Sequence, residues 1–253
     1  MCTVLLAFQQ VAGWPLVVAN NRDEFLDRRA LPPRVYRAER EGGRRWLACR
    51  DLSGGGSWWG YNDRGLMVFL TNRWTGDHYA PGSRSRGRLV LELLQCSEID
   101  EAREGLDRIA AETSFNPFNV IVASRYQGFF FSNFPELHYF PLSPGYHYLG
   151  NGLLDGCRSM KARSARRLFA RLGSDRPSLG FILDSFIQAL RTPYPQDSIP
   201  PQGFNVSFDG YGTTSSLLMA VAETEGANLF LGYCEANPLH VQYQDYSVLG
   251  LLL

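Results

Sequence analysis

From its start the chain alternates between short, nearly continuous apolar runs and stretches whose apolar residues recur every three or four positions. Residues 2–8 and 15–20 are apolar runs parted by Gly13-Trp14-Pro15, which predicts an antiparallel pair of strands. Their unbroken apolar character is that of strands buried on both faces. A second pair is predicted in SWWGYNDRGLMVFLTN at 57–72, where Asn62-Asp63-Arg64-Gly65 turns the chain between Trp58-Trp59-Gly60 and Leu66 to Leu70.

From residue 88 the period changes. Leu89, Leu93 and Leu94, then Ala102, Leu106, Ile109 and Ala110, mark helices over 88–95 and 99–111, with Ser97 or Asp100 as the cap between them. Strands are expected again at 119–124, 129–132, 137–140 and 146–149, followed by helices over 157–172 and 178–190. Residues 191–212 hold four prolines and no clear period, so they read as a long ordered loop bordering a pocket. Strands at 215–223 and 229–233 flank Glu225-Gly226-Ala227-Asn228, and 241–246 reads as a third.

This order, with hairpins and no βαβ rhythm, predicts an α+β fold with segregated helices. Strands buried on both faces need cover on both sides, so the expected architecture is a four-layer αββα sandwich of two antiparallel sheets between helices, built as one domain over 1–253.

Composition narrows the function classes. The 253 residues carry 25 basic and 25 acidic side chains, so no overall field draws the protein to nucleic acid or an anionic membrane. Only one basic residue, Lys161, is lysine; the other 24 are arginine, which reads as a coding bias. Cys2, Cys49, Cys96, Cys157 and Cys234 are odd in number and form no CxxC pair, which points to reduced thiols and a cytoplasmic setting. The four histidines lack ligand spacing, so no metal is expected. Residues 1–20 lack a basic start and a small-residue cleavage site, and no apolar stretch is long enough to span a bilayer, so a soluble protein is expected.

Cys2 stands out for its position. Removal of Met1 would place a free α-amino group beside the thiol. Such an amine titrates near about 7.7 to 8.0, so it can serve as a base for its own side chain. Asn20-Asn21-Arg22-Asp23-Glu24 ends the second strand, and a hairpin turning near residues 12–14 returns residues 22–24 to the side of Cys2. There Arg22 would stabilise a thiolate and Asp23 would hold the amine.

The NRDE at 21–24 behind an MC start resembles the NRDE family, also known as the transport and Golgi organisation protein 2 family. Further matching motifs follow in order: GGGSWWGYNDRG at 54–65, LTN at 70–72, SRGRLV at 85–90, PFNVIV at 117–122, YLGNGLLD at 148–155 and YGT at 211–213. The resemblance implies the αββα fold of N-terminal-nucleophile hydrolases. By analogy with the bile-salt hydrolase and penicillin acylase branch, it implies an amidohydrolase acting on linear C–N bonds through a thioester.

In that analogy Cys2 is nucleophile and base, Arg22 and Asp23 tune and hold it, and Asn72 and Asn151 donate to the oxyanion. Two departures are visible: the acylase branch spaces its arginine and aspartate as RNxD, whereas Arg22 and Asp23 are adjacent. The family commonly has arginine after YGT, where this chain has Thr214. The resemblance equally admits a non-catalytic protein that binds or traffics haem or lipid. The expected partner is thus a small-molecule amide or an apolar ligand, with no cofactor beyond haem under the second reading.

Overall fold

The computed structural model describes residues 2–39, 42–76, 83–112, 115–173, 176–193, 203–224 and 229–253. In chain order its strands are β1 (Cys2–Val11), β2 (Trp14–Phe25), β3 (Ala30–Arg37), β4 (Arg45–Asp51), β5 (Trp59–Asn62), β6 (Met67–Asn72), β7 (Phe118–Ala123), β8 (Gly128–Ser132), β9 (His138–Pro141), β10 (Gly145–Leu149), β11 (Ser207–Phe208), β12 (Tyr211–Val221), β13 (Leu229–Cys234) and β14 (Gln244–Asp245). The helices are α1 (Arg86–Leu93), α2 (Ile99–Glu112), α3 (Met160–Leu172) and α4 (Leu179–Arg191). Two compact units result, Met1–Asp27 with Ser143–Gly250 and Arg28–Leu142 with Leu251–Leu253.

In the first unit an antiparallel sheet runs β10-β1-β2-β12-β13-β14, with β11 paired to β12. One face meets α3 and α4: Leu5, Ala7, Val17 and Ala19 pack with Ala165, Ile182, Phe186 and Leu190 in a single buried cluster. Each such side chain withdrawn from water contributes on the order of 1.5–3 kcal/mol for the larger ones. The hydroxyls of Ser159 and Ser178 cap α3 and α4, accepting from the N–H of Ala162 at 3.0 Å and of Phe181 at 3.4 Å. Gly13 makes the β1–β2 turn at φ 74°, a conformation open to glycine.

The second unit carries the sheet β3-β4-β5-β6-β7-β8-β9, also antiparallel throughout. Val68, Leu70, Val120 and Val122 pack on Leu89, Leu93, Ala102 and Leu106 of α1 and α2. The asparagine of the NDRG turn is fully buried. Its Nδ2 donates to the carbonyls of Leu94 and Cys96, while its Oδ1 accepts from the N–H groups of Arg64 and Leu66. Asn62 thus joins the turn to the C-terminal end of α1. The glycines of GGGS and SRGR have a shared cause, since a Cβ on Gly56 would lie 2.2 Å from the carbonyl carbon of Gly87.

The α+β class and the antiparallel pairing follow the pattern read from the chain. Three elements differ. Strands β3 and β4 were not apparent, because Pro32-Pro33 interrupts the first of them; the structure puts those prolines where the register shifts between Leu31 and Arg34, on an edge strand that tolerates lost donors. The strand expected at 241–246 shrinks to Gln244–Asp245, and a 3-10 helix follows over Ser247–Leu252. The turn expected at 225–228 lies outside the described residues. The proline-rich loop is described only at its ends, and Thr192 and Phe204 there do border a cavity of about 380 Å³ along α3 and α4.

Candidate active site

The β1–β2 ladder sets Cys2 opposite Arg22, as the hairpin requires. Neighbouring residues on a strand point to opposite faces. Arg22 therefore shares the face of Cys2, whereas Asp23 shares the face of Thr3 and Leu5, toward α3 and α4. The adjacency that separates this chain from the RNxD spacing has this structural consequence: the cation and the carboxylate approach Cys2 from different sides of the sheet.

Asp23 is fully buried and its carboxylate is held at both oxygens. Oδ1 accepts from the Thr213 hydroxyl at 2.7 Å, and Oδ2 pairs with the Lys161 ammonium at 2.7 Å. The same ammonium donates to the Thr3 hydroxyl at 2.9 Å, and the Tyr211 hydroxyl donates to the Asp23 carbonyl at 2.8 Å. Thr213 is itself placed by the Val206 N–H, which donates to its oxygen at 2.9 Å. Strand β12 and helix α3 thus hold one carboxylate of β2, and β1 joins them through the shared ammonium.

On the other side, Arg22 donates through Nη1 to the Thr214 hydroxyl at 3.0 Å, and that hydroxyl donates to the Arg22 carbonyl at 3.2 Å. Thr214 sits in the irregularity between Thr213 and Ser215, where β12 shifts register against β2. The residue that stands where arginine is usual after YGT is therefore engaged with the arginine of NRDE. The two preceding asparagines are structural. Asn20 donates to the Thr3 carbonyl at 2.8 Å, and Asn21 donates to the Leu190 carbonyl at 3.0 Å while accepting from Ser216 at 2.6 Å.

Cys2 is half-buried, and burial pushes its thiol above the ordinary cysteine value. The Asp23 charge pushes the same way; Arg22 and a hydrogen bond from the Asp23 N–H oppose it. Such a group is a neutral thiol at neutral pH and needs a base before it can attack.

Asn151 follows β10, whose ladder with β1 ends at Val4 opposite Leu149. Asn151 itself lies beyond the pairing, in the bend that follows Leu149. Asn72 is exposed at the end of β6, opposite Phe118, in the second unit. Lys161, Thr3 and Thr213 were not among the residues expected at this site. Among the described residues no three His, Cys, Asp or Glu side chains gather as metal ligands, and no helix is long and apolar enough to cross a membrane.

The loop that carries Asn151 is pinned by His147. Its Nδ1 meets Asp155 Oδ2 at 2.8 Å and its Nε2 meets the Ser143 carbonyl at 2.8 Å; Asp155 Oδ1 also accepts from the Tyr148 N–H. Burial alone would lower the imidazole, but the Asp155 and Ser143 oxygens outweigh it and raise it above 6.5. A raised histidine contributes stability in full below its unfolded value and loses it as pH climbs through the folded one. Urea unfolding of the wild type and His147→Gln is thus expected to show a gap that is widest below pH 6.5 and closes on the alkaline side; a gap constant from pH 5.5 to 9 would contradict the clasp.

The family model for transport and Golgi organisation 2 matches residues 1–230. A transport and Golgi organization protein 2 homolog from Bos taurus is 30% identical over 168 residues, which make up 61% of this chain and 58% of that protein. The Mus musculus homolog matches to the same extent, so the chain spans about 58% of the length of the curated relatives it matches.

Among solved structures, the Caenorhabditis elegans ortholog of N-acylethanolamine-hydrolyzing acid amidase aligns with a TM-score of 0.56 and 15% identity, over 86% of this chain and 92% of that one. A mutant conjugated bile acid hydrolase from Clostridium perfringens aligns with a TM-score of 0.53 and 12% identity, over 97% and 96%. At these identities the likeness shows the fold, that of N-terminal-nucleophile hydrolases.

Proposed function

The chain belongs to the transport and Golgi organisation 2 family, and from that premise we propose that it is an N-terminal-cysteine amidohydrolase acting on linear C–N bonds through a thioester. One observation carries the reading: Cys2 heads β1 directly opposite Arg22, with the buried Asp23 next in the chain. A thiol raised by burial calls for a base, and the α-amino group exposed by processing ahead of Cys2 would lie within its own residue.

In this reaction the amine takes the thiol proton as sulfur attacks the amide carbonyl carbon. The C–N bond then breaks, the leaving amine carries off that proton, and the acyl group remains on sulfur. Water cleaves the thioester to a carboxylic acid and restores the thiol. Asn151 is the carboxamide of the same unit assigned to the oxyanion in this reading, since a carboxamide donates without changing protonation.

The solved neighbours supply the substrate class to try, small amides of carboxylic acids. Incubating the full chain with N-acylethanolamines and with conjugated bile acids is expected to release acid and amine in equal amounts. Cys2→Ala is expected to release neither. Equal release by both proteins, or none by either across a broad panel of amides, would sink the proposal.

The second reading, binding of an apolar ligand without turnover, draws on the cavity along α3 and α4. Leu168, Leu172, Phe181 and Phe204 line it together with Arg167 and Arg171, a mixture suited to an amphiphile with an acidic group. Haem fits less well at the buried histidine, because both ring nitrogens of His147 are already engaged.

A further inference from the structure

Lys161 breaks three rules at once. It is the one lysine of a chain that elsewhere uses arginine 24 times. It is 8% exposed, and an ammonium taken out of water is costly unless tightly paired. It also sits in the first turn of α3, which holds no acidic residue and whose dipole disfavours a cation. Positions where local rules fail together are expected to be functional or strained sites. A compact ammonium can reach Asp23 and Thr3 together, where a planar guanidinium imposes a fixed fork.

We propose that Lys161 is a positioning residue of the Cys2 centre, clamping Asp23 against Thr3 and neutralising its charge so that Cys2 can react at neutral pH. The proposal rests on reading Cys2 as the nucleophile. The groups that act on the thiol electrostatically are the amino group at the chain start, Asp23 and Arg22. Of these Asp23 alone opposes ionisation through its charge, and its Oδ2 lies 2.7 Å from the Lys161 ammonium. Paired at 2.7 Å, the ammonium offsets part of the Asp23 charge; without it, Cys2 stands near a bare carboxylate across the strand. Lys161 therefore acts through Asp23, and its effect appears in the titration of a residue it is not bonded to.

The rate of Cys2 alkylation by iodoacetamide, followed by peptide mapping from pH 6 to 10, tests this without any substrate. Lys161→Met is expected to move the midpoint to higher pH and to slow alkylation at pH 7 about tenfold, the effect of roughly one unit on a thiol. The double variant Lys161→Met with Asp23→Asn removes both charges and is expected to recover most of the loss, a coupling that a merely structural lysine would not show. Superimposable profiles for wild type and Lys161→Met, or a double variant no faster than the single, would overturn the proposal.

Should Lys161→Met not fold, the wild type decides, because lysine labelled with carbon-13 at Cε gives one resonance from this chain. That resonance is expected to shift when Cys2 is alkylated, and an unmoved resonance would count against the coupling. A protein that hydrolyses no amide yet shows the shifted profile would refute the amidohydrolase reading and retain the role of Lys161; a hydrolase with an unshifted profile would do the reverse.

Discussion

Asp23→Ala is expected to destabilise the protein by about 3–5 kcal/mol, the usual effect of removing one partner from a buried ion pair. The Asp23 side chain is wholly inaccessible and that of Lys161 is 10% exposed, so the ammonium left behind would have little water to turn to. The loss extends past the pair. The Thr213 hydroxyl would lose its acceptor at 2.7 Å, and Thr213 helps to fix β12 against β2 beside the register shift that positions Thr214. Urea or thermal unfolding would read the change, the latter as a fall in Tm of roughly 10 °C for a chain of this size. Replacing Lys161 by methionine as well is expected to restore part of the stability, because no buried charge then remains unpaired. A single variant within about 1 kcal/mol of the wild type would contradict the buried pair.

A chain whose Cys2 stays capped, by residues added ahead of it that processing does not remove, is expected to lose about a hundred- to ten-thousand-fold in amide hydrolysis. Capping converts the α-amine to an amide, which cannot accept the thiol proton. The fold should survive, since β1 and its ladders with β2 and β10 are untouched. Loss of turnover with unchanged unfolding behaviour therefore separates the missing base from damage to the sheet. Undiminished hydrolysis by the capped protein would require a different base and would remove the α-amine from the mechanism.

Much of this site was legible because a hairpin is local. The apolar runs on either side of Gly13 fix the pairing of β1 with β2, and the pairing alone puts Arg22 opposite Cys2. What was not legible depends on contacts distant in sequence. Lys161 reaches Asp23 from 138 residues away and Thr213 from 190, and neither separation leaves a periodic trace. The signal for Lys161 was compositional, a lone lysine among arginines, and its meaning emerges only when the side chain is found buried at the wrong end of a helix. The splitting of Arg22 and Asp23 between the two faces of the sheet follows from strand alternation. Strands β3 and β4 stayed hidden because a proline pair at a bulge looks, in sequence, like a loop.

Intact-mass measurement with peptide mapping shows most directly whether Cys2 acts as an N-terminal nucleophile. After substoichiometric labelling with an electrophilic amide analogue, the label is expected to rest on Cys2 and the labelled chain to begin at that residue. A label elsewhere, on the exposed Cys157 for example, or a catalytically active pool that retains Met1, would contradict it.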